Sequence, residues 1–414
     1  MPVTVPILAV LTFGFTLSHF QRTSLSAIAP DLMIELNLSP DMFGFVASGI
    51  FLGVAAGQIP IGILLDRYGA RRVLPILLMV AVVGTLWFAA VDQVWQLFAA
   101  RFIVGIGIAS TLMGALVVAG RWFPPDRFAT VSSFVFAIAG GLGNGFGATP
   151  MAAAAEWVGW RWAFVGVAGI TLLSAALIAV IVRDAPPGHP FWTRKPESAR
   201  DSIAGVLAVA RLPGMWRILV MAMVGYPTLI TILGAWGGPY LADVYGLDAI
   251  ARGNVLALVA AGNVVGFFVF GPLDRWLDTR KGVVLGGTCM GVTVAAALAL
   301  WPHPPLAVTV VLLMLFGATA AFSLTNIAMG RALVPERFMG RGVTMVNFST
   351  FLGNALLQVV AGHLIGLFVA SGPAPENAYR LLFALLALIY GAATLVYLPL
   401  PDLKPSAGRA PQAH

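Results

Sequence analysis

At 414 residues the chain is long enough for two or three soluble domains, but 59% of its residues are hydrophobic and only 10% are charged. Soluble domains carry about 25% charged residues, and no fold of this size has interior enough to hide so much hydrocarbon, so the composition excludes a soluble protein and requires a lipid solvent. A net charge of +7 does not indicate nucleic acid, because no basic stripe or aromatic stacking module is present and the basic residues are scattered among short loops.

A bilayer core of about 30 Å needs about 20 apolar residues per helix. Segments that qualify run over 6–30, 42–65, 73–91, 95–119, 129–153 and 159–182, then over 216–242, 250–272, 282–301, 305–330, 342–369 and 379–399. The N-terminus lacks the positive start of a cleavable signal peptide, so the first segment is read as a retained span. Of the 24 Lys and Arg residues, 19 fall in one set of loops and three (Arg161, Arg252, Arg380) in the other. This bias places both termini in the cytoplasm. The expected organisation is an N-terminal six-helix bundle (1–182), a cytoplasmic linker (183–215), a C-terminal six-helix bundle (216–400) and a cytoplasmic tail (401–414). Within the linker, Ile203, Val206, Leu207 and Ala210 stand at helical spacing and predict a short interfacial helix.

The two halves repeat. RWFPPDRF from Arg121 is echoed by RALVPERF from Arg331, and Asn144 in LGN by Asn354 in LGN, both at an offset of 210. Asp66 and Arg67 with Arg72 are echoed by Asp274 and Arg275 with Arg280, at an offset of 208. The loop GILLDRYGARR, from Gly62 to Arg72, resembles the signature of the major facilitator superfamily between its second and third helices, and GPLDRWLDTRK stands where the weaker second copy belongs. Arg101 in RFIVGIGIAS resembles the fourth-helix arginine motif of the same family. The resemblance implies an all-α membrane fold of twelve helices in two pseudo-symmetric bundles. It also implies a gating latch from Asp66, Arg67, Gly69 and Arg72 with Asp274, Arg275 and Arg280.

Two charges fall inside predicted spans, Arg22 and Arg101, and such charges are costly in a bilayer and functional by default. Helical rise puts both in the outer half at similar depth, where they could face one pocket. Neither is repeated in the second half. Thr12, Thr16, His19, Thr23 and Ser26 form a polar stripe beside Arg22. HFQRTSLSAIAP around Arg22 is similar to the first helix of organophosphate and anion:cation carriers, which implies that Arg22 binds an anionic group. His19 is the candidate proton carrier, with Arg101 a second. In the second half Tyr226, Thr231, Trp236 and Tyr240 offer rings and hydroxyls to a ligand, and Asn144 and Asn354 are either ligand contacts or interhelical hydrogen-bonders. The GLGN segment also resembles nitrate carriers, but their second- and eighth-helix arginines have no counterpart in the predicted spans.

The expected function is secondary active transport of a small organic anion across a bacterial inner membrane, by alternating access and with possible proton coupling. The chain is expected to act as a monomer, without cofactor, metal or nucleic acid. Export of a neutral or amphipathic compound is the nearest alternative, and a non-transporting membrane sensor the alternative of another class. No nucleophile–base–acid set supports an enzyme.

Overall fold

The computed structural model describes residues 4–192, 199–334, 339–370 and 375–406. Every long element among them is a helix. In the first half these are α1 (Thr4–Glu35), α2 (Pro40–Tyr68), α3 (Ala70–Ala90), α4 (Val94–Trp122), α5 (Pro125–Phe146 continued by Thr149–Val158) and α6 (Trp160–Ile181). A connecting helix, Ala199–Ala210, precedes α7 (Met215–Tyr245), α8 (Ala249–Trp276), α9 (Arg280–Leu300), α10 (Leu306–Leu333), α11 (Met339–Ala370) and α12 (Pro375–Tyr397). Apolar side chains dominate every one of these helices, and many stay exposed on the outer surface, as a lipid solvent permits.

Among the described residues, eleven of the twelve are by length and apolarity able to cross a membrane. The helix expected over 129–153 is not continuous. Helix α5 breaks at Gly147 and Ala148, and Pro150, without an N–H, sits in the first turn of its second piece. A second interruption lies in α7, where residues Ile232–Trp236 form a π-helical turn. Such turns commonly mark functional segments.

The packing repeats like the sequence. α1 packs on α5 and α6 as α7 packs on α11 and α12; α2 on α4 as α8 on α10; and α3 on α6 as α9 on α12. The halves meet through α2 with α11, its counterpart α5 with α8, and α1 with α7.

Their closest joins lie towards the end remote from the termini. There the Gly238 N–H donates to Ser26 Oγ at 3.0 Å, Thr149 Oγ1 to Asn254 Oδ1 at 2.9 Å, and His363 Nδ1 meets Asp41 Oδ1 at 2.9 Å. A Cβ on Gly44 would fall 2.5 Å from the Gln358 carbonyl oxygen, so glycine is what lets α2 and α11 touch. Arg252 belongs to this closure too. Assigned to a loop by sequence, it lies in the first turn of α8, 6% exposed, and pairs with Asp31 of α1 at 3.6 Å. The predicted eighth span therefore does contain an arginine, at its end and neutralised by a carboxylate.

The connecting helix, Ala199–Ala210, packs by a different set of residues from the spacing Ile203, Val206, Leu207 and Ala210. Val206 and Val209 are buried, Leu207 is exposed, and Arg341 of α11 lies against Gly205. The side chain of Ile203 lies outside the described residues.

Candidate substrate site

Arg22 stands just past the midpoint of the 32-residue α1, which runs on beyond the apolar segment to Glu35. It is 6% exposed. Its guanidinium lies 4.7 Å from the centre of the Phe351 ring on α11, so a charge of the first half rests on a ring of the second. Tyr226 of α7 and His19, one turn away on α1, stand close enough to feel its charge. The Asn144 side chain on α5 reaches towards both the His19 ring and the Tyr226 hydroxyl. Its Oδ1 and the Arg22 Nε are buried without a hydrogen-bond partner. Among the described residues no carboxylate pairs with Arg22. A buried cation and a buried acceptor left open are costly, and such groups ask for a ligand.

Local packing fixes this arrangement. A Cβ on Gly143 would fall 2.5 Å from both His19 Cβ and the Thr16 carbonyl oxygen, so the LGN glycine lets α5 close on α1 and sets Asn144 beside His19. Of the polar stripe, Thr16 and Thr23 turn their hydroxyls back to Thr12 and His19 carbonyl oxygens of their own helix. Ser26 lies higher, in the contact with Gly238.

Arg101 is placed elsewhere. Its Nη1 donates to the Gln21 carbonyl oxygen at 3.0 Å, and its guanidinium lies 5.6 Å from the Phe88 ring centre, inside the first half and 1% exposed. Gln21 joins the same interior: Nε2 donates to Thr171 Oγ1 at 3.2 Å, and Oε1 accepts from Thr85 at 3.2 Å. Gln21 and Arg22 are consecutive on a helix, so their side chains diverge. The structure does not bring the two arginines to one pocket.

The α7 candidates also separate. Tyr226 reaches the site. The Thr231 hydroxyl returns to the Pro227 carbonyl oxygen. Trp236 is fully buried, edge-on to Phe43 of α2 at 5.2 Å, with its indole N–H unpartnered. Tyr240 packs among Tyr245, Tyr379 and Phe383 within the second half. Asn354 is 1% exposed; its Nδ2 donates to the Thr350 carbonyl oxygen, and its Oδ1, like that of Asn144, has no partner.

At the termini end, Gly69 holds φ +78° between α2 and α3, and a Cβ there would meet the Asp184 carboxylate. Asp184, after α6, accepts the Arg71 N–H at 3.1 Å. Asp402, after α12, likewise accepts the Arg280 and Lys281 N–H groups at 3.1 Å and the Thr279 hydroxyl. Both acids cap the positive N-terminus of a helix, α3 and α9. Arg280 also approaches Asp274, Nε to Oδ2 3.9 Å, and Arg67 lies over Tyr68. Asp66 also has a partner. Arg72 lies in the first turn of α3 and Arg275 in the last turn of α8.

Sequence reading missed Phe351, Gln21, Asp184 and Asp402. The two caps are 218 residues apart, outside the offsets at which the repeat is visible, and nothing in the pattern marks one phenylalanine among 26. Among the described residues no group of His, Cys, Asp and Glu could hold a metal. An apolar crevice between α1, α5 and α6, with Phe20 and Trp162 in its wall, includes neither Arg22 nor His19 and has no charged lining group.

Comparison with known proteins points one way. The model of the Major Facilitator Superfamily matches residues 11–356. A probable sulfoacetate transporter, SauU, of Cupriavidus necator is 26% identical over 287 residues, covering 67% of this chain and 66% of that protein, just under two thirds of its length. A gentisate transporter of Corynebacterium glutamicum is 27% identical over 383 residues, 88% of this chain and 81% of its own. A probable galactarate/D-glucarate transporter, GudP, of Escherichia coli is 24% identical over 304 residues, 67% of each chain. Among solved structures, a D-xylose–proton symporter superposes with a TM-score of 0.75 at 17% identity, covering 97% of this chain and 98% of its own. An inward-facing bacterial homologue of the human lysosomal transporter Spinster gives 0.73 at 18%, covering 96% and 97%.

Proposed function

The chain belongs to the Major Facilitator Superfamily, and from that premise we propose that it is a secondary transporter carrying a small organic anion across the membrane by alternating access. One observation carries this reading: Arg22, near the middle of α1 and between the halves, is a buried cation with no carboxylate among the described residues to neutralise it. A guanidinium presents a planar fork suited to a carboxylate, and an incoming anion supplies the missing partner. Relatives named for sulfoacetate, gentisate and D-glucarate support the same class of cargo.

The site lies where rocking of one bundle on the other would expose it to each side in turn. Closure at the end remote from the termini supports a state that excludes that side. The strong bias of Lys and Arg towards the termini side supports a cytoplasmic location for both termini in a bacterial inner membrane. The Asp66–Arg72 loop and its echo at Asp274–Arg280 serve as the latch between states, with Asp184 and Asp402 anchoring its helices. A single chain supplies every group of the site and suffices as the transporting unit.

His19 is the proton carrier of this reading. It stands one turn from Arg22, so a bound anion screens one cation from the other. Anion and proton then bind together more readily than either binds alone, which is symport expressed as a coupling free energy.

The test is a thermal-shift screen of the purified protein against metabolite anions, repeated with Arg22→Ala. A stabilising anion should lose its effect in the variant. An anion that keeps its full effect removes Arg22 as the anchor, and stabilisation by neutral or cationic compounds alone removes the anion reading.

A further inference from the structure

The charge and the chemistry around Arg22 restrict the anion further. Among the described residues, Arg22 and Arg101 are the charged groups in the middle of a span, and Arg101 is turned into the first half against Gln21 and Phe88. One permanent positive charge therefore faces the junction of the halves, and a monoanion balances it. A dianion would leave its second carboxylate with only the transported proton on His19 for a partner, and an uncompensated buried charge is strongly disfavoured.

The walls are rings. Phe351 lies under the guanidinium, and Phe15, 4.8 Å from the His19 ring, meets Phe136 edge-on at 5.5 Å. Tyr226, Phe136 and Phe348 pack, partly exposed, against the cluster that buries Phe15 and Phe351. Their free edges and faces are the surface left to a ligand, and rings prefer other rings at such distances.

Hydroxyl-binding capacity is small. Thr16, Thr23 and Thr231 spend their hydroxyls on their own helices. Beside Arg22, Asn144 Oδ1 is buried without a partner, and the Tyr226 hydroxyl is already approached by the same Asn144 side chain. A polyhydroxylated chain would lose its water without replacement at most of its hydroxyls, whereas one ring hydroxyl donating to Asn144 Oδ1 would satisfy both partners.

We propose that the cargo is an aromatic monocarboxylate carrying a ring hydroxyl, its carboxylate on Arg22, its ring among Tyr226, Phe136 and Phe348, and its hydroxyl on Asn144. This rests on the reading of Arg22 as the anion anchor, and the test separates the two.

Isothermal titration of the full-length protein in nanodiscs compares four probes: 3-hydroxybenzoate, benzoate, cyclohexanecarboxylate and tartrate. 3-Hydroxybenzoate should bind at least tenfold tighter than cyclohexanecarboxylate, which has the same charge without the aromatic ring, and tenfold tighter than tartrate. Asn144→Ala should abolish the preference for 3-hydroxybenzoate over benzoate. Tyr226→Leu should narrow the preference for benzoate over cyclohexanecarboxylate, and Tyr226→Phe should restore it, which a merely misfolded site would not do. Tartrate binding as tightly as 3-hydroxybenzoate, and lost in Arg22→Ala, overturns the aromatic monoanion while leaving the anion anchor in place. Equal binding of benzoate and cyclohexanecarboxylate to the native protein also overturns it. If Arg22→Ala binds every probe as the native protein does, the anchor itself fails and the inference with it.

Discussion

Arg22 of α1 lies with its guanidinium 4.7 Å from the centre of the Phe351 ring on α11, so a cation of one half is sheltered by the other half. A ring face attracts a cation but does not neutralise it. The pair therefore holds the charge in place and leaves it available.

The first prediction concerns stability without ligand. A structural arginine would destabilise the protein when removed, but an unneutralised buried charge is a burden. Arg22→Met should raise the melting temperature of the ligand-free protein by roughly 2 °C or more, the scale expected for about 1 kcal/mol in a large domain. Differential scanning fluorimetry in detergent reads it. A fall in melting temperature would show that Arg22 is held by partners it needs.

Conservative replacement separates charge from shape. Arg22→Lys keeps a cation but loses the bidentate fork. A hydrogen bond to a charged group is worth about 1.5–3 kcal/mol, so anion affinity should fall by about 10- to 100-fold in Arg22→Ala. Arg22→Lys should lie between that variant and the native protein in titration calorimetry.

Gly238 tests the need for closure at the remote end. A Cβ there would collide with the Ser26 backbone, so Gly238→Ala cannot reach the present arrangement. Uptake in proteoliposomes should fall to background. Gly145→Ala on α5, where a Cβ meets nothing within 4 Å, should transport normally and gain up to ~1 kcal/mol of stability. Equal loss in both would mean that the effect is not the Ser26 contact.

Asp31 and Arg252 join the halves at the same end. Asp31→Asn leaves Arg252 buried without its ion-pair partner, with Asp243 the other carboxylate near it. A partly exposed pair is worth up to ~1 kcal/mol, about a fivefold change in the ratio of closed to open molecules. Spin labels at positions 37 and 248, on a Cys289→Ala background, should show a larger population at long distance in the variant. An unchanged distance distribution would remove the pair from the closure.

Proton coupling is read at His19. In proteoliposomes an imposed pH gradient should drive anion uptake by the native protein, and His19→Asn should abolish that drive while exchange of anion for anion persists. A gradient that drives both equally assigns the proton elsewhere.

The caps at the termini end carry the last prediction. Asp402 accepts from two backbone N–H groups and a hydroxyl, and Asp184 from one N–H. Loss of a cap costs about 0.5–2 kcal/mol, so Asp402→Ala should lower the melting temperature by more than Asp184→Ala. The reverse order would mean that the two are not equivalent caps.

The sequence by itself determined the solvent, the number of spans and the duplication of the scaffold. Each follows from local counts: runs of apolar residues as long as a bilayer is thick, the bias of Lys and Arg among loops, and blocks recurring at one offset. It also marked Arg22 and Arg101, because a charge inside an apolar run is conspicuous without any structure. Tertiary structure alone decided what those charges face. The azimuth of a side chain and the choice of neighbouring helix depend on contacts between residues hundreds of positions apart. That is why Arg101 turned out to hold the Gln21 carbonyl oxygen, Tyr240 to pack within its own half, and Phe351, unremarkable in the sequence, to lie on Arg22. The break in α5 was decided at the same level: its glycines let it close on α1, and the helix gave way at Gly147 and Ala148, where that contact and Pro150 meet.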